Sequence, residues 1–169
     1  MLNRSIYEEK GVCAVRYPRG SQPELPDDYK YSNEDFAFYG DPSAKTVLIT
    51  FGRTFGNAIQ CYNRLKSEGI GIAILKLNRV YPIDNKVFDS LKKFSSIFIF
   101  EEGIRSGGIN ETLCSGIIQN GTDAKIKVVA IDAEFVPHMK AETALKKLGL
   151  DSDSMYKFVK EGIYEEQSK

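Results

Sequence analysis

Four apolar runs alternate along the chain with segments whose apolar residues recur at helical spacing. The runs cover residues 46–52, 70–77, 96–100 and 127–131. Strands that alternate with helices in this way predict βαβ units and a mostly parallel sheet. Because the runs are apolar on both faces, we expect helices to cover both sides of the sheet. The predicted fold class is therefore α/β.

Single residues mark where the intervening helices begin and end. Asp84 and Asp151 each precede a helical pattern and are of a residue type preferred at the N-cap. A Gly-Gly pair at 107–108 opens another helical pattern, and Gly69 and Gly149 follow the last apolar residue of two others. These positions predict helices that connect each strand to the next.

The amino-terminal quarter of the chain has a different character. Residues 1–10 are typical of the end of a helix, and residues 11–16 predict a strand. Residues 21–44 are rich in Pro, Gly and Asp, which indicates a linker. We expect this linker to pack against a surface, because it carries five aromatic residues: Tyr29, Tyr31, Phe36, Phe38 and Tyr39. The main domain is predicted to cover residues 45–169.

Composition narrows the class of protein. Lys and Arg number 23, as do Asp and Glu, so the net charge is zero and there is no excess of basic residues for nucleic-acid binding. No apolar run is long enough for a transmembrane helix, and residues 1–10 do not form a signal peptide. Cys13, Cys61 and Cys114 lack metal-ligand spacing, so we expect buried, reduced thiols of a cytoplasmic protein.

Two arginines lie at the end of the predicted strand 11–16. Arg16 and Arg19 belong to an Arg-Tyr-Pro-Arg-Gly segment, so their guanidinium groups are placed at the carboxyl end of that strand. Ligands of α/β proteins bind at this end of the strands, and the planar fork of an arginine suits a phosphate group. The segment therefore predicts a phosphate-binding position.

A second candidate site follows the strand at 96–100. Glu101 and Glu102 come directly after it, and the Gly-Gly pair at 107–108 opens a helix whose free N–H groups favour an anion. Two interpretations stay open. One glutamate can order the loop while the glycines allow close packing, which we favour, or the carboxylates can act directly in catalysis.

Three further polar residues follow predicted strands. His138 is the single histidine, and a lone loop histidine is more often an interface or capping residue than a catalytic base. No Ser/His/Asp triad, metal-ligand cluster or phosphate-binding loop is visible in the sequence. Arg53 and Arg79 can line the edge of the sheet. Equally, they can be solvated or can pair with acidic residues across a subunit contact, and we favour this second interpretation.

Five motifs together carry a family resemblance. They are Arg-Tyr-Pro-Arg-Gly at 16–20, Arg-Val-Tyr-Pro-Ile-Asp at 79–84, Phe-Ile-Phe-Glu-Glu at 98–102 with Gly-Gly at 107–108, Asp-Ala-Glu-Phe-Val-Pro-His at 132–138, and Leu-Gly-Leu-Asp at 148–151. In this order and spacing they resemble the carboxyl-terminal part of the 1-deoxy-D-xylulose-5-phosphate synthases, a transketolase-like family. The resemblance extends from residue 1 to about residue 163.

The resemblance implies a three-layer α/β/α domain with a mixed, mostly parallel five-stranded sheet. It implies that residues 1–20 end the preceding pyrimidine-binding domain, and that Arg19 contacts the substrate phosphate. Enzymes of the family are homodimers that condense pyruvate with glyceraldehyde 3-phosphate, using thiamine diphosphate and Mg²⁺ and releasing CO₂. Their product feeds isoprenoid and thiamine synthesis.

The same comparison of motifs shows what the sequence lacks. The family's Gly-Asp-Gly motif for the diphosphate and its metal ion is absent, and the Gly-Asp-Pro at 40–42 is not that motif. We therefore expect no catalytic, cofactor-binding or metal-binding residue in this chain, and no activity of the chain alone. Glu101, Glu102 and His138 remain candidates for an interface or for lining a site.

Two alternatives stay open. The chain can be the carboxyl-terminal domain of a transketolase or of a 2-oxoacid dehydrogenase E1 beta-type subunit. It can also be a stand-alone protein-interaction module that uses the sheet and the aromatic linker. The upstream coding sequence distinguishes these readings.

Overall fold

The computed structural model describes residues 2–17, 25–133 and 135–167. Helices and strands alternate along most of this length. In chain order they are α1 (Leu2–Tyr7), β1 (Phe36–Gly40), β2 (Thr46–Phe51), α2 (Thr54–Ser67), β3 (Ala73–Leu77), α3 (Asn85–Leu91), β4 (Ser96–Ile104), α4 (Ile109–Gln119), β5 (Lys125–Ile131), α5 (Ala141–Lys147) and α6 (Ser152–Gln167).

The strands form one five-stranded sheet in the order β1-β3-β2-β4-β5. The strands β2, β3, β4 and β5 are parallel, whereas β1 lies at one edge and runs antiparallel to β3. In the register of that edge pair, Phe36 lies opposite Leu77 and Gly40 opposite Ala73. Because β1 runs antiparallel, its first residue lies at the end of the sheet where the parallel strands have their carboxyl ends.

Both faces of the sheet are buried. Successive residues of β2 point to opposite faces, as the pleat of a strand requires. Leu48 packs in a cluster with apolar residues of α2, α5 and α6. Val47 and Ile49 pack in a second cluster, with residues of α3 and α4. The protein is thus a three-layer α/β/α domain with a mixed, mostly parallel sheet, as the sequence predicts.

The predicted helix boundaries are confirmed. The Asp84 carboxylate accepts a hydrogen bond from the Lys86 amide at 2.8 Å, which caps α3. The Asp151 carboxylate accepts one from the Ser154 amide at 3.3 Å at the start of α6. Gly149 has a φ of +72° just after α5, a conformation that favours glycine.

The predicted linker contains a strand. Its last part, Phe36–Gly40, pairs with β3, so the sheet begins before residue 45. A short aromatic stretch between Asp-, Gly- and Pro-rich segments gives little sign of an edge strand. The expectation that the aromatic residues pack is confirmed for Tyr29, whose ring centroid lies 5.1 Å from that of Phe55.

The predicted strand at 11–16 is wrong for this structure. Residues 12–17 are extended chain without a strand assignment, and Val12 is fully exposed. An apolar run forms a strand only where a neighbour accepts its hydrogen bonds, and the described residues place no strand beside it. The prediction that all three cysteines are buried is wrong for two of them. Cys13 is exposed and Cys114 is half-buried, while Cys61 is buried as expected.

Candidate functional site

The carboxyl ends of the parallel strands line up at one end of the sheet. We call this end the carboxyl edge, as distinct from the edge strands β1 and β5. The loops that follow β2, β3, β4 and β5 meet there, which is the usual ligand-binding edge of an α/β protein. The loops bring Arg53, Arg79 and His138 to this edge, and Glu101 and Glu102 lie within the last part of β4. Every residue that the sequence suggested for the main domain therefore belongs to the same edge.

Glu101 caps the helix that follows its strand. Its side chain is buried, at 4% exposed. The carboxylate accepts hydrogen bonds from the Ile109 amide at 3.0 Å, the Asn110 amide at 2.7 Å and Asn110 Nδ2 at 2.6 Å. The two backbone donors are free N–H groups of the first turn of α4, where a negative charge is favourable. The favoured interpretation, in which one glutamate orders this loop, agrees with these contacts.

The glycine pair allows this close approach. A Cβ on Gly108 would overlap the carbonyl oxygen of Ile104 and would lie 2.6 Å from Asn110 Nδ2. Gly107 has a φ of +79°, and its amide donates to Glu111 Oε2 at 2.9 Å. Sequence reasoning missed Asn110, which is 3% exposed. The signal for it was a polar residue in the first turn of a predicted helix, two residues after the glycine pair.

Glu102 pairs with Arg53 across the carboxyl edge. Arg53 Nε donates to Glu102 Oε2 at 2.8 Å, and Arg53 Nη2 donates to the other carboxylate oxygen. The hydrogen bond to Glu102 raises the pKa of the Arg53 guanidinium above its ordinary value, although partial burial acts in the opposite direction. This pair joins the loop after β2 to the end of β4.

Arg79 belongs to a second ionic group, which also ties α1 to the sheet. It pairs with Glu9, and its Nε lies 3.4 Å from Asp35 Oδ1. Arg4 lies 2.9 Å from Glu9 and 2.7 Å from Asp35. We call these four residues the edge clamp. We expected Arg53 and Arg79 to be solvated or to pair with acidic residues of another subunit, whereas the structure supplies acidic partners for both within the chain.

His138 and Arg16 take no part in the ion pairs just described. His138 lies in the loop between β5 and α5, and its side chain is exposed, as is that of Phe135. Arg16 is exposed on the extended chain after α1. Arg19 lies outside the described residues. The proposed phosphate contact of Arg19 therefore stays a prediction.

The carboxylates of this edge do not fit a diphosphate and its metal ion. Glu101 is surrounded by N–H donors of α4, and Glu102 is engaged by Arg53. Across residues 2–17, 25–133 and 135–167, no group of three or more His, Cys, Asp or Glu is arranged to hold a metal. The helices of the same ranges include none with the length and apolarity needed to span a bilayer.

The mixed five-stranded sheet, covered by helices on both faces, defines an α/β domain of the transketolase C-terminal type. Residues 40–155 match the transketolase C-terminal domain, and the chain belongs to this family. The family resemblance seen in the sequence is thus confirmed.

Three curated relatives show how much of a longer protein the chain matches. A 1-deoxy-D-xylulose-5-phosphate synthase of Azobacteroides pseudotrichonymphae is 30% identical over 88% of this chain and 24% of its own length. One of Campylobacter hominis is 31% identical over 89% and 25%. A putative transketolase C-terminal section of Methanocaldococcus jannaschii is 28% identical over 96% and 52%. The chain thus spans a quarter to a half of the length of these relatives.

A solved structure shares the fold. A split-gene transketolase, described as an inactive beta4 tetramer, superposes with a TM-score of 0.70 and 16% identity. The superposition covers 85% of this chain and 47% of that one. At this identity the likeness supports the fold alone.

Proposed function

We propose that this chain supplies the carboxyl-terminal domain of a 1-deoxy-D-xylulose-5-phosphate synthase, together with the end of the domain that precedes it. The observation that carries this proposal is the Arg-Tyr-Pro-Arg-Gly motif at 16–20, ahead of a transketolase C-terminal domain. The chain that joins the two is 30% identical over 159 residues to a named synthase. The complete enzyme condenses pyruvate with glyceraldehyde 3-phosphate and releases CO₂. It acts as a homodimer in the cytoplasm.

The proposal assigns thiamine diphosphate and Mg²⁺ to domains other than this one. The support is chemical, because Mg²⁺ needs free oxygen ligands. Both carboxylates in the 101–102 pair are already engaged by N–H donors. What remains for this chain is to bind and place the phosphorylated substrate. Arg19 contacts its phosphate, because a guanidinium forms two parallel hydrogen bonds to phosphate oxygens. Glu101, Glu102 and His138 line an interface at the carboxyl edge.

Calorimetry on the chain alone tests the assignment of the cofactor. Thiamine diphosphate is titrated into the chain in the presence of Mg²⁺, and the expected result is no heat of binding. The Campylobacter hominis synthase serves as the positive control. Tight binding of the cofactor to this chain alone overturns the assignment.

A chimera tests the activity. This chain replaces the matching carboxyl-terminal quarter of the Campylobacter hominis synthase, and product formation is measured with pyruvate and glyceraldehyde 3-phosphate. The same synthase without its last quarter is the negative control. We expect the chimera to be active and the truncated protein inactive. A chimera that binds thiamine diphosphate but forms no product contradicts the proposal.

A transketolase is the second candidate. The observation that favours it is the match to the Methanocaldococcus jannaschii section, which covers 96% of this chain. A transketolase transfers a two-carbon unit between sugars, so it does not need pyruvate. Reading the coding sequence upstream of residue 1 decides between the two, because the preceding domains of the two enzymes differ.

A further inference from the structure

An open cavity of about 470 Å³ lies where β1 ends and β3 begins, at the end of the sheet opposite to the edge clamp. Gly40 and Ala73, which pair in the antiparallel register of these strands, form part of its wall. The rings of Phe38, Tyr39 and Tyr62 also line it. Small-molecule sites in proteins span roughly 300 to 1,000 Å³ and are lined largely by aromatic and apolar groups. The cavity therefore has the size and the wall of a ligand site.

The lining of the cavity carries an excess of negative charge. Asp28 and Asp41 contribute two carboxylates, and Lys93 contributes one ammonium group. The Lys93 ammonium donates to a backbone carbonyl at 3.1 Å and lies 5.3 Å from the ring centroid of Phe38. Phe38 and Tyr39 are successive residues of β1, so their side chains point to opposite faces of the strand. Lys93 is thus engaged on one face, and among the described residues no basic side chain pairs with either carboxylate.

Each carboxylate is held through one oxygen. Asp28 Oδ1 accepts a hydrogen bond from the Tyr39 hydroxyl at 3.0 Å. Asp41 Oδ1 accepts two from Ser43, from its hydroxyl at 2.6 Å and its amide at 2.8 Å, and these bonds lower the pKa of Asp41 below its ordinary value. Asp41 is therefore an anion at neutral pH. No described residue donates to the second oxygen of either carboxylate, so both oxygens are able to accept hydrogen bonds from a ligand.

Tyr62 brings a buried side chain with a hydroxyl to the same cavity. The residue is 7% exposed, and Gly40 makes room for it, because a Cβ there would lie 2.9 Å from the Cε2 atom of the Tyr62 ring. Its contacts with Tyr39 and with the Lys66 ammonium are made by the ring, and none of the described residues hydrogen-bonds the hydroxyl. Burial of a hydroxyl without a hydrogen bond is costly, so this group favours a ligand that forms one.

We propose that this cavity binds a small organic cation of the amine or guanidine class. Its N–H groups donate to the second oxygens of Asp28 and Asp41 and to the hydroxyl of Tyr62. Hydrogen bonds from a cation to a carboxylate are about twice as strong as neutral ones, and aromatic rings attract a cation further. A guanidinium group suits both, since it is planar and stacks on aromatic rings. No residue of the carboxyl edge takes part, so this binding does not depend on the activity proposed above.

Titration of the chain with agmatine, which carries a guanidinium and an ammonium group, tests the site. The carbon-13 resonances of the tyrosine Cζ atoms are followed, and Tyr7, which is 80% exposed, is the internal reference. We expect saturable shifts at Tyr39 and Tyr62 with a Kd of about 1 mM or tighter, and none at Tyr7. The neutral probe 1,4-butanediol, with the same number of chain carbons, should give no shift. Absence of saturable shifts with agmatine, or equal shifts with the diol, overturns the proposal.

Two charge-removing variants locate the binding. Asp28→Asn and Asp41→Asn each keep an oxygen that accepts the hydrogen bond from Tyr39 or Ser43, and we expect each to raise the Kd for agmatine roughly tenfold. Asp123→Asn is the matched control, because Asp123 is exposed in the loop before β5, at the same end of the sheet, and does not line the cavity. Its Kd should equal that of the wild type. An unchanged Kd in both cavity variants, or an equal rise in the control, shows unspecific attraction and overturns the proposal.

Tyr62→Phe separates binding from folding. The substitution keeps the ring and removes a hydroxyl that no described residue bonds. We therefore expect an unchanged thermal unfolding midpoint by circular dichroism, together with a Kd for agmatine that rises roughly threefold to tenfold. Tyr39→Phe is the contrast, because it removes the hydrogen bond to Asp28 and should lower the midpoint as well. An unchanged Kd in Tyr62→Phe overturns the assignment of this hydroxyl to the ligand.

Discussion

Arg53 and Glu102 form a two-point ion pair that links the loop after β2 to the end of β4 at the carboxyl edge. Their side chains are 27% and 32% exposed, so the pair is partly shielded from water. A paired fork of this kind is stronger than a single surface contact. The pair therefore adds a side-chain link to the backbone pairing of two central strands.

A double-mutant cycle of Arg53→Ala and Glu102→Ala is expected to give a coupling energy of about 1 kcal/mol in urea denaturation. The Arg64–Asp153 pair between α2 and α6 is the control, because it is 45% and 65% exposed. Water and salt screen the control pair, so we expect a clearly smaller coupling there. Equal coupling energies for the two pairs would show that partial burial does not strengthen the Arg53–Glu102 pair.

Gly108→Ala is expected to destabilise the protein by roughly 2 kcal/mol, because the new Cβ overlaps the Ile104 carbonyl and disturbs the Glu101 cap. Gly107→Ala is the matched control. It has open space but a φ of +79°, so it loses only about 1 kcal/mol to backbone strain. Chemical denaturation of both variants checks this order. A larger loss of unfolding free energy in Gly107→Ala than in Gly108→Ala would contradict the prediction.

The three cysteines are expected to react at three different rates with a disulfide reagent. Cys13 is exposed and reacts fast, Cys114 is half-buried and slower, and Cys61 is buried and reacts only on unfolding. Burial raises the pKa of the Cys61 thiol to about 12, so almost no thiolate is present at neutral pH. Cys13→Ser should remove the fast phase alone. A fast phase that survives this substitution would contradict the placement of Cys13.

The Tyr39 phenol is expected to titrate near pH 12. Its pKa is raised from 10.0 to about 12, first by burial and then by the hydrogen bond that it donates to Asp28 at 3.0 Å. The folded state thus holds this proton more tightly than the unfolded state. The resulting stability is complete below pH 10 and is lost as the pH rises to about 12.

Carbon-13 NMR of the tyrosine Cζ atoms follows this titration residue by residue. Asp28→Asn should lower the pKa of Tyr39, yet leave it above 10, because burial is the larger cause. A Tyr39 that titrates at 10 in the wild type would show that the hydroxyl is in open water.

Arg19→Ala is expected to leave the fold of residues 45–163 intact, as judged by circular dichroism. In the active chimera it should raise KM for glyceraldehyde 3-phosphate by about tenfold or more, because a charge-assisted hydrogen bond to phosphate is lost. The KM for pyruvate serves as the internal control. An unchanged KM for the phosphorylated aldehyde refutes the phosphate role of Arg19.

The parallel part of the sheet could be predicted because a strand that is buried on both faces is apolar at successive positions, as in Val47, Leu48 and Ile49 of β2. The helix caps could be predicted because the carboxylates of Asp84 and Asp151 accept hydrogen bonds from amides only two or three residues further along the chain. Local chemistry of this kind is visible in sequence.

The remainder depends on contacts between distant residues. Phe36–Gly40 becomes a strand only because the exposed edge of β3 accepts it. The segment 12–17 has the apolar residues of a strand but no neighbour in the part of the chain that the structure describes. At the carboxyl edge, no spacing rule connects Arg79 with Glu9 or Arg53 with Glu102. The fold decides which residues pair. The sequence could therefore predict that these arginines follow strands at the carboxyl edge, but not which acidic residue each one contacts.

The antiparallel β1 has a practical consequence for work with this protein. It puts the entry of the chain, with α1, at the carboxyl edge. The chain leaves through α6, whose Glu165 lies 2.6 Å from Lys127 near the start of β5, at the opposite edge. A purification tag or a surface-attachment handle is therefore best fused behind α6, where it leaves the polar edge accessible. The same handle ahead of α1 would crowd the carboxyl edge.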